Sequence, residues 1–373
     1  MLMLLWVDDF CIMGPDKAVK EHRDTLKSMF DCKDIGEMNE YVGCHVERDK
    51  AKRTVRLTQP VKIKRFQDEY DTSLIRGEPK TPAEGGSILK KEGEGSKDAI
   101  LDKKQQKEYR SATAILLHMM RWSRVEVQNA TRDCSRYMTE ARMSHMKALQ
   151  RIMKYCIGTA RRGLTLAPKG VWDGTKNHMF EVKGMSDSEY AADESRYSVN
   201  GWSTWLCGAP VTCRSKMMPV IALSVMEAEL YAAVQCAQDM MYIWRVMSGM
   251  GLQVKMPMTL EIDNKGSVDF CNNWSVAGRT RHIEVKQYFL RDLKELGILK
   301  VMWKSGEEMT SDIFTKNLGR PLFERHGSKL YGEDEYFKAA TSKNETVDAA
   351  EVSLYAIEAY KSYESFWSDL ITR

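Results

Sequence analysis

Residues 222–233 read Ala222-Leu-Ser-Val-Met-Glu-Ala-Glu-Leu-Tyr-Ala-Ala233. Ser224, followed three residues later by Glu227, has the spacing of a capping box, which satisfies free N–H groups at a helix start. Apolar residues then recur with the spacing of a buried helical stripe, at Met226, Leu230, Ala233, Val234, Ala237, Met241 and Trp244. The pattern predicts a helix from Ser224 to about Ser248, in which Glu227 has a structural role.

Glu229 is not needed for capping, and it lies at the border of this apolar stripe. A carboxylate in such a place costs free energy unless a cation meets it. Three other acids fall where predicted strands end or helices begin: Asp187, Asp263 and Asp312. Each of them alone is as readily a turn or cap residue. Since strand ends and helix starts meet at one rim of an α/β sheet, the ordered set of four predicts a common site.

Four carboxylates at one place repel one another, by about 4 kcal/mol for two charges 4 Å apart at an effective dielectric constant near 20. Hard divalent cations relieve this repulsion, and an all-carboxylate site selects Mg²⁺ or Mn²⁺ over zinc. Two such ions can activate a water and stabilise the leaving oxygen of a phosphodiester. The sequence therefore predicts a site for two ions of Mg²⁺ or Mn²⁺.

The chain divides by composition and pattern into five parts. We expect a first α/β unit with short strands around Asp8-Asp9 (1–76), a linker or mobile loop rich in Gly, Pro, Lys and Glu (77–108), a basic helical segment (109–170), an α/β domain (171–332) and an acidic, helix-prone tail (333–373). The order of strands and helices in the fourth part predicts a mixed sheet with flanking helices.

The overall composition fits an ordinary globular protein, with 43% hydrophobic and 29% charged residues among 373. No apolar stretch approaches the length of about 20 residues that spans a bilayer, so no membrane association is expected. The nine cysteines lack any Cys-x-x-Cys pair. That argues against disulfides and structural zinc and for a reducing compartment.

The net charge of +4 is modest, but its distribution is uneven. Between Tyr109 and Gly170 there are 12 Lys or Arg residues against three acids. Such an excess on helical sequence is typical of a surface that tracks nucleic-acid phosphates. The alternative is a solvated helical face whose charge is balanced elsewhere in the protein.

Short motifs along residues 1–332 resemble, in order, the C-terminal part of the Pol polyprotein of copia-type (Ty1/copia) retrotransposons. They are Leu5-Trp-Val-Asp-Asp9, Tyr109-Arg-Ser111, Ala148–Thr159, Ser186-Asp187, Ala222-Leu-Ser224 with Glu227-Ala-Glu229, Asp263-Asn264, Arg279–Ile283, and Asp312 with Thr315–Leu318. The resemblance implies the end of a reverse-transcriptase palm in 1–76, a thumb-like or connection-like segment in 109–170, and a ribonuclease H-like domain in 171–332.

For the α/β domain the resemblance implies a ribonuclease H that hydrolyses the RNA strand of RNA–DNA hybrids. Its implied metal ligands are Asp187, Glu229, Asp263 and Asp312. Arg214, Lys216, Arg279, Arg281 and His282 flank the elements that carry these acids. They are candidates for contacts with the hybrid, although Arg214, Lys216, Arg279 and Arg281 are as readily ordinary surface residues and His282 is as readily structural.

For the first unit the resemblance implies a vestigial polymerase site at Asp8 and Asp9. Trp6 stands where the family has Tyr, and the first metal-binding aspartate of a palm has no counterpart here. We therefore expect no polymerase activity from this chain alone. Two alternatives stay open: a decayed or co-opted fragment that binds nucleic acid without catalysis, and a slice of a complete Pol protein. The resemblance also implies an intracellular location, cytoplasmic or nuclear. The sequence does not indicate an oligomeric state.

Overall fold

The computed structural model of the chain describes residues 1–6, 9–91, 97–273 and 285–332. Several predicted features lie outside these residues: Asp8, the side chain of Asp9, Arg279, Arg281, His282 and the tail 333–373. Within the described ranges, no helix is long and apolar enough to cross a membrane. All nine cysteines fall in those ranges, and each is a free thiol.

The chain begins with the predicted pair of short strands. β1 (Leu2–Trp6) pairs antiparallel with β2 (Asp9–Met13), and the amphipathic helix α1 (Asp16–Met29) follows. Every residue of α1 is described, and none of them is buried. This hairpin and helix therefore contribute little to the hydrophobic core of the chain.

A second unit combines a four-stranded antiparallel sheet with helices. The sheet has the order β3 (Glu40–Tyr41), β4 (Cys44–Asp49), β5 (Thr54–Thr58), β6 (Leu164–Leu166). Its helices are α2 (Pro60–Asp68), α3 (Lys103–Trp122), α4 (Gln128–Ser135) and α5 (Met143–Gly158). β6 was not predicted from the sequence. It pairs with β5, which lies more than 100 residues earlier in the sequence; Val55 is paired with Leu166 in the register.

The segment before α3 differs from the predicted linker. α3 begins at Lys103, where Asp102 and Gln105 form a reciprocal capping box. Residues upstream are held by hydrogen bonds to distant elements: the Leu89 N–H donates to Asp133 Oδ2 of α4 (2.9 Å), and His145 Nε2 of α5 donates to the Lys90 carbonyl (2.9 Å). The described part of 77–108 is therefore packed against the helices.

The α/β domain is built on a five-stranded mixed sheet of order β10-β9-β8-β12-β13. β8 (Val182–Glu189), β9 (Val199–Leu206) and β10 (Ala209–Met217) run antiparallel, while β12 (Met258–Ile262) and β13 (Leu299–Trp303) run parallel to β8. Two short strands, β7 (Met179–Phe180) and β11 (Gln253–Val254), pair beside it. The predicted mixed α/β class is confirmed.

Five helices accompany this sheet: α6 (Val225–Gly249), α7 (Lys265–Asn272), α8 (Val285–Glu295), α9 (Asp312–Thr315) and α10 (Arg320–Tyr331). α6 lies across β8 with no gap at Gly184. A Cβ atom there would come within 2.5 Å of Met240 Sδ and 2.6 Å of Cys236 Sγ. Glycine at this position therefore lets α6 approach β8 closely, which brings Glu229 to the strand that carries Asp187.

Candidate metal centre

Three of the four predicted ligands form one cluster. Asp187 lies near the end of β8, Asp263 directly follows β12, and Asp312 is the first residue of α9. One carboxylate oxygen from each lies within 4.8 Å of the others. β8 and β12 are parallel neighbours, so their ends meet at the same edge of the sheet. The predicted convergence of these acids is present in the structure.

Glu229 lies at the side of this cluster and is 3% exposed. Its Oε1 accepts hydrogen bonds from the main-chain N–H (3.2 Å) and the hydroxyl (2.9 Å) of Ser188, the residue after Asp187. Its Oε2 is buried and has no hydrogen-bond partner among the described residues. Glu229 is therefore fixed by one oxygen, and the other remains available for a cation.

Glu227 has the separate role that its spacing predicts. The Ser224 hydroxyl accepts a hydrogen bond from the Glu227 N–H (3.1 Å). Glu227 Oε2 in turn accepts one from the N–H of Leu223 (2.7 Å), one residue before the position expected for a capping box. Glu227 thus stabilises the start of α6, whereas Glu229 faces β8.

The electrostatics of the cluster follow from burial and like charge. Burial, together with Asp187 and Asp263, raises the pKa of Glu229 to about 9. Burial and Asp187 raise the pKa of Asp312 to about 8 against the opposing effect of Lys316. Burial and Asp187 also raise the pKa of Asp263. Without a divalent cation, Glu229 and Asp312 therefore retain protons at neutral pH, because the site cannot hold all of the carboxylate charges.

The position of α9 depends on a second close approach. A Cβ atom at Gly201 of β9 would come within 2.6 Å of Thr315 Cγ2, 2.9 Å of the Ser311 carbonyl and 3.0 Å of Phe314 Cβ. Gly201 is paired with Asp187 in the sheet. The missing side chain therefore lets α9 lie directly over β9, where it presents Asp312 to Asp187.

Two residues at the end of α9, Thr315 and its C-cap Lys316, also contact Asp187; the sequence reasoning noted them only as part of the Thr315–Leu318 motif and gave them no role. The Thr315 hydroxyl donates a hydrogen bond to Asp187 Oδ2. The Lys316 ammonium lies 3.5 Å from the same oxygen and 3.3 Å from Asp312 Oδ2. Thr315 and Lys316 follow Asp312 by three and four residues, which makes them its neighbours on a helix surface. This spacing is the sequence signal that could have predicted their contacts with the site.

Trp303, at the end of β13, is another residue that the sequence reasoning missed. Its indole N–H donates to the main-chain carbonyl of Asp263 (2.9 Å), and its side chain is half-exposed. The Lys265 ammonium lies 4.9 Å from the centroid of the indole ring. This pair forms one wall of the site beside Asp263.

Two of the candidate cationic residues, Arg214 and Lys216, lie in the described part of the chain, on the edge strand β10. Arg214 is paired with Trp202 and Lys216 with Asn200, two strands away from β8. Arg214 is half-buried and Lys216 is exposed. At a strand spacing of about 4.8 Å this places them roughly 10 Å from β8, beside the site and outside the acid cluster.

Many of the basic residues of 109–170 are engaged within the protein. Five of the 12 are exposed: Arg110, Arg121, Lys147, Arg161 and Lys169. The other seven are buried or half-buried: Arg124, Arg132, Arg136, Arg142, Arg151, Lys154 and Arg162. Arg124, fully buried, pairs with Glu126 at 2.7 Å, and Arg136 pairs with Asp193 at 2.5 Å. Burial and ion pairs within the protein therefore engage part of the basic excess.

The residues present fit a divalent cation. The donor set is all carboxylate, as Mg²⁺ and Mn²⁺ prefer. Two of its buried oxygens, Glu229 Oε2 and Asp312 Oδ1, have no hydrogen-bond partner among the described residues. Buried polar atoms are rarely left unpaired in this way, and a bound cation would satisfy both of them.

Comparison with known proteins finds retrotransposon Pol polyproteins among the relatives that match most of the chain. The Retrovirus-related Pol polyprotein from transposon TNT 1-94 of Nicotiana tabacum is 27% identical over 326 residues, which cover 87% of this chain and 24% of that protein. The corresponding polyprotein from transposon RE1 of Arabidopsis thaliana is 26% identical over 336 residues, covering 88% of this chain and 21% of that protein.

A shorter relative is the Secreted RxLR effector protein 161 of Plasmopara viticola. It is 29% identical over 136 residues, covering 36% of this chain and 90% of that protein. No protein-family model matches the chain. The chain spans between a fifth and a quarter of the length of the two polyproteins.

Proposed function

Since this chain is homologous to the Pol polyproteins of plant copia-type retrotransposons, as its motifs predicted, we propose that residues 171–332 form a ribonuclease H that hydrolyses the RNA strand of RNA–DNA hybrids. The observation that carries the proposal is the cluster of Asp187, Asp263 and Asp312, with Glu229 beside it, at one edge of a mixed sheet. Few chemistries call for four converging carboxylates, and metal-assisted phosphodiester hydrolysis is one of them.

In the proposed mechanism Asp187, Glu229, Asp263 and Asp312 would hold two ions of Mg²⁺ or Mn²⁺, which when bound would activate a water and stabilise charge at the leaving oxygen. Ser188 orients Glu229 through two hydrogen bonds, and Thr315 orients Asp187 through one. Such supporting contacts fix the direction of each ligand before the ion binds.

We place the hybrid over the acid cluster, flanked by Lys216 on β10 on one side and by Trp303 at the end of β13 with Lys265 at the start of α7 on the other. The exposed ammonium of Lys216 suits a phosphate contact, and the half-exposed indole of Trp303 suits stacking on a base or sugar. The alternative of a purely nucleic-acid-binding fragment relies on the basic helices. It is weakened by the seven cationic residues that are buried or half-buried there.

The test is cleavage of an RNA–DNA hybrid with labelled RNA by the purified, folded chain in the presence of Mg²⁺ or Mn²⁺. We expect cuts in the RNA strand only and none with a chelator. Asp263→Asn should lower the rate by more than about 100-fold, since even the loss of a supporting contact costs roughly 10–100-fold.

Asp269→Asn is the matched control, because this exposed acid lies six residues further on and outside the cluster. It should cleave at the parent rate. A folded parent chain that binds the hybrid but leaves its RNA intact with both metals would contradict the proposed activity and support the binding alternative.

A further inference from the structure

Lys316 occupies an unusual place for a cation. It follows the last residue of α9, and its main-chain N–H donates to the Asp312 carbonyl (3.1 Å), which fixes the position of its Cα. From there the side chain turns back over the helix and reaches two predicted metal ligands, with its ammonium 3.3 Å from Asp312 Oδ2 and 3.5 Å from Asp187 Oδ2.

The side chain of Lys316 is 34% exposed, while those of Asp187 and Asp312 are 1% and 11% exposed. The ammonium thus covers the acids from the solvent side. Other lysines nearby have other partners: Lys304, for example, pairs with Glu261 at 2.8 Å and not with the cluster. Within the described part of the chain, Lys316 is the cation that pairs with the site acids.

A carboxylate oxygen that coordinates Mg²⁺ lies about 2.0–2.1 Å from the ion, and a neighbouring ammonium would repel it strongly. Asp187 and Asp312 cannot pair with the ammonium and coordinate two metal ions in the same geometry. The exposure and the flexible four-carbon stem of Lys316 give it a route away from the acids without any change in the backbone.

We propose that Lys316 is a built-in counter-ion that competes with divalent metal for Asp187 and Asp312. It prevents the acids from spreading apart in the metal-free protein and moves toward solvent when the site is fully loaded. The inference rests on the metal site of the proposed function, but it concerns occupancy of the site and not the cleavage step.

The test is calorimetric titration of the whole chain with Mn²⁺, and with Ca²⁺ as a second ion, for the parent and for Lys316→Met. We expect the variant to bind Mn²⁺ about tenfold more tightly, a change of about 1.4 kcal/mol. Without metal the variant should melt at a lower temperature than the parent, and saturating Mn²⁺ should restore more stability to it than to the parent.

Two further variants control for charge and for folding. Lys304→Met removes a neighbouring lysine that pairs with Glu261, and its Mn²⁺ affinity should match that of the parent. Lys316→Arg retains the charge and should also remain close to the parent. If Lys316→Met does not fold without metal, folding on addition of Mn²⁺, followed by circular dichroism, supports the counter-ion role.

Unchanged or weaker Mn²⁺ binding by folded Lys316→Met would overturn the inference. The result is separable from the fate of the proposed function. A parent chain that binds Mn²⁺ without cleaving a hybrid would contradict the nuclease and leave the competition measurable. A parent chain that binds neither ion would contradict both proposals.

Discussion

Replacing Gly201 by alanine changes no acid, yet it should damage the candidate metal centre. The new Cβ would lie 2.6 Å from Thr315 Cγ2 and 2.9 Å from the Ser311 carbonyl. Ordinary van der Waals contact begins at 3.4 Å, so these distances are too short by about 0.8 Å and 0.5 Å. β9 is the second strand of a five-stranded sheet, so we expect the short helix α9 to move instead, and Asp312 to move with it.

The size of the effect follows from the overlap. Overpacking of a buried contact by one methyl group costs about 1–3 kcal/mol, and each kcal/mol lowers the Tm of a domain of this size by roughly 2–4 °C. A shift of about 1 Å in a group that positions reactants can lower a rate by roughly 100-fold. A 100-fold loss of rate corresponds to about 2.7 kcal/mol of transition-state stabilisation, which is similar in size to the expected loss of stability.

The assay compares hybrid cleavage, Mn²⁺ affinity and Tm for Gly201→Ala with those for Gly158→Ala. Gly158 ends α5, and a Cβ atom there would meet nothing within 4 Å. The control should retain the parent rate and gain slightly in stability, since alanine is the better helix residue. If Gly201→Ala cleaves and binds Mn²⁺ like the parent, then close packing of α9 does not position the site.

Three further predictions concern charge and hydrogen bonding. Because the pKa of Glu229 is raised to about 9 and that of Asp312 to about 8, the native state holds protons that the unfolded state has released above roughly pH 5. The metal-free chain should therefore lose stability from pH 7 to 9 in urea titrations, with a smaller loss in Glu229→Gln; a parent that gains stability over this range would contradict the assignment. Arg124→Met leaves Glu126 buried without its cation and should cost about 3–5 kcal/mol of unfolding free energy, whereas an effect below 1 kcal/mol would show that the pair is dispensable. Thr315→Val removes the hydroxyl that orients Asp187 and should weaken Mn²⁺ binding by roughly 10–100-fold in calorimetry. Undiminished affinity would show that this hydrogen bond does not support the metal site.

Periodicity and capping chemistry predicted α6, the helix that carries Glu229. It starts at the predicted Ser224 cap and ends at Gly249, next to the predicted end at Ser248. Both signals are local, so a single sequence suffices to read them. The separate roles of Glu227 and Glu229 were predicted in the same way.

Features that depend on distant contacts were not predictable from the sequence alone. The three-residue strand β6 exists because it pairs with β5, and α10 (Arg320–Tyr331) follows α9 after a break that no expectation included. The basic count in 109–170 gave no sign that Arg124 would be fully buried against Glu126. The domain boundaries remain predictions.

The most direct test of the central claim compares Glu229→Gln with Glu227→Gln in hybrid cleavage under Mg²⁺. The two residues lie two positions apart on α6, and both substitutions remove one charge with almost no change in shape. The account predicts that Glu229→Gln abolishes cleavage of the RNA strand, because it removes a metal ligand, and that Glu227→Gln cleaves near the parent rate. Cleavage that survives in Glu229→Gln, or that is lost equally in both folded variants, would contradict the assignment of Glu229 to the metal site.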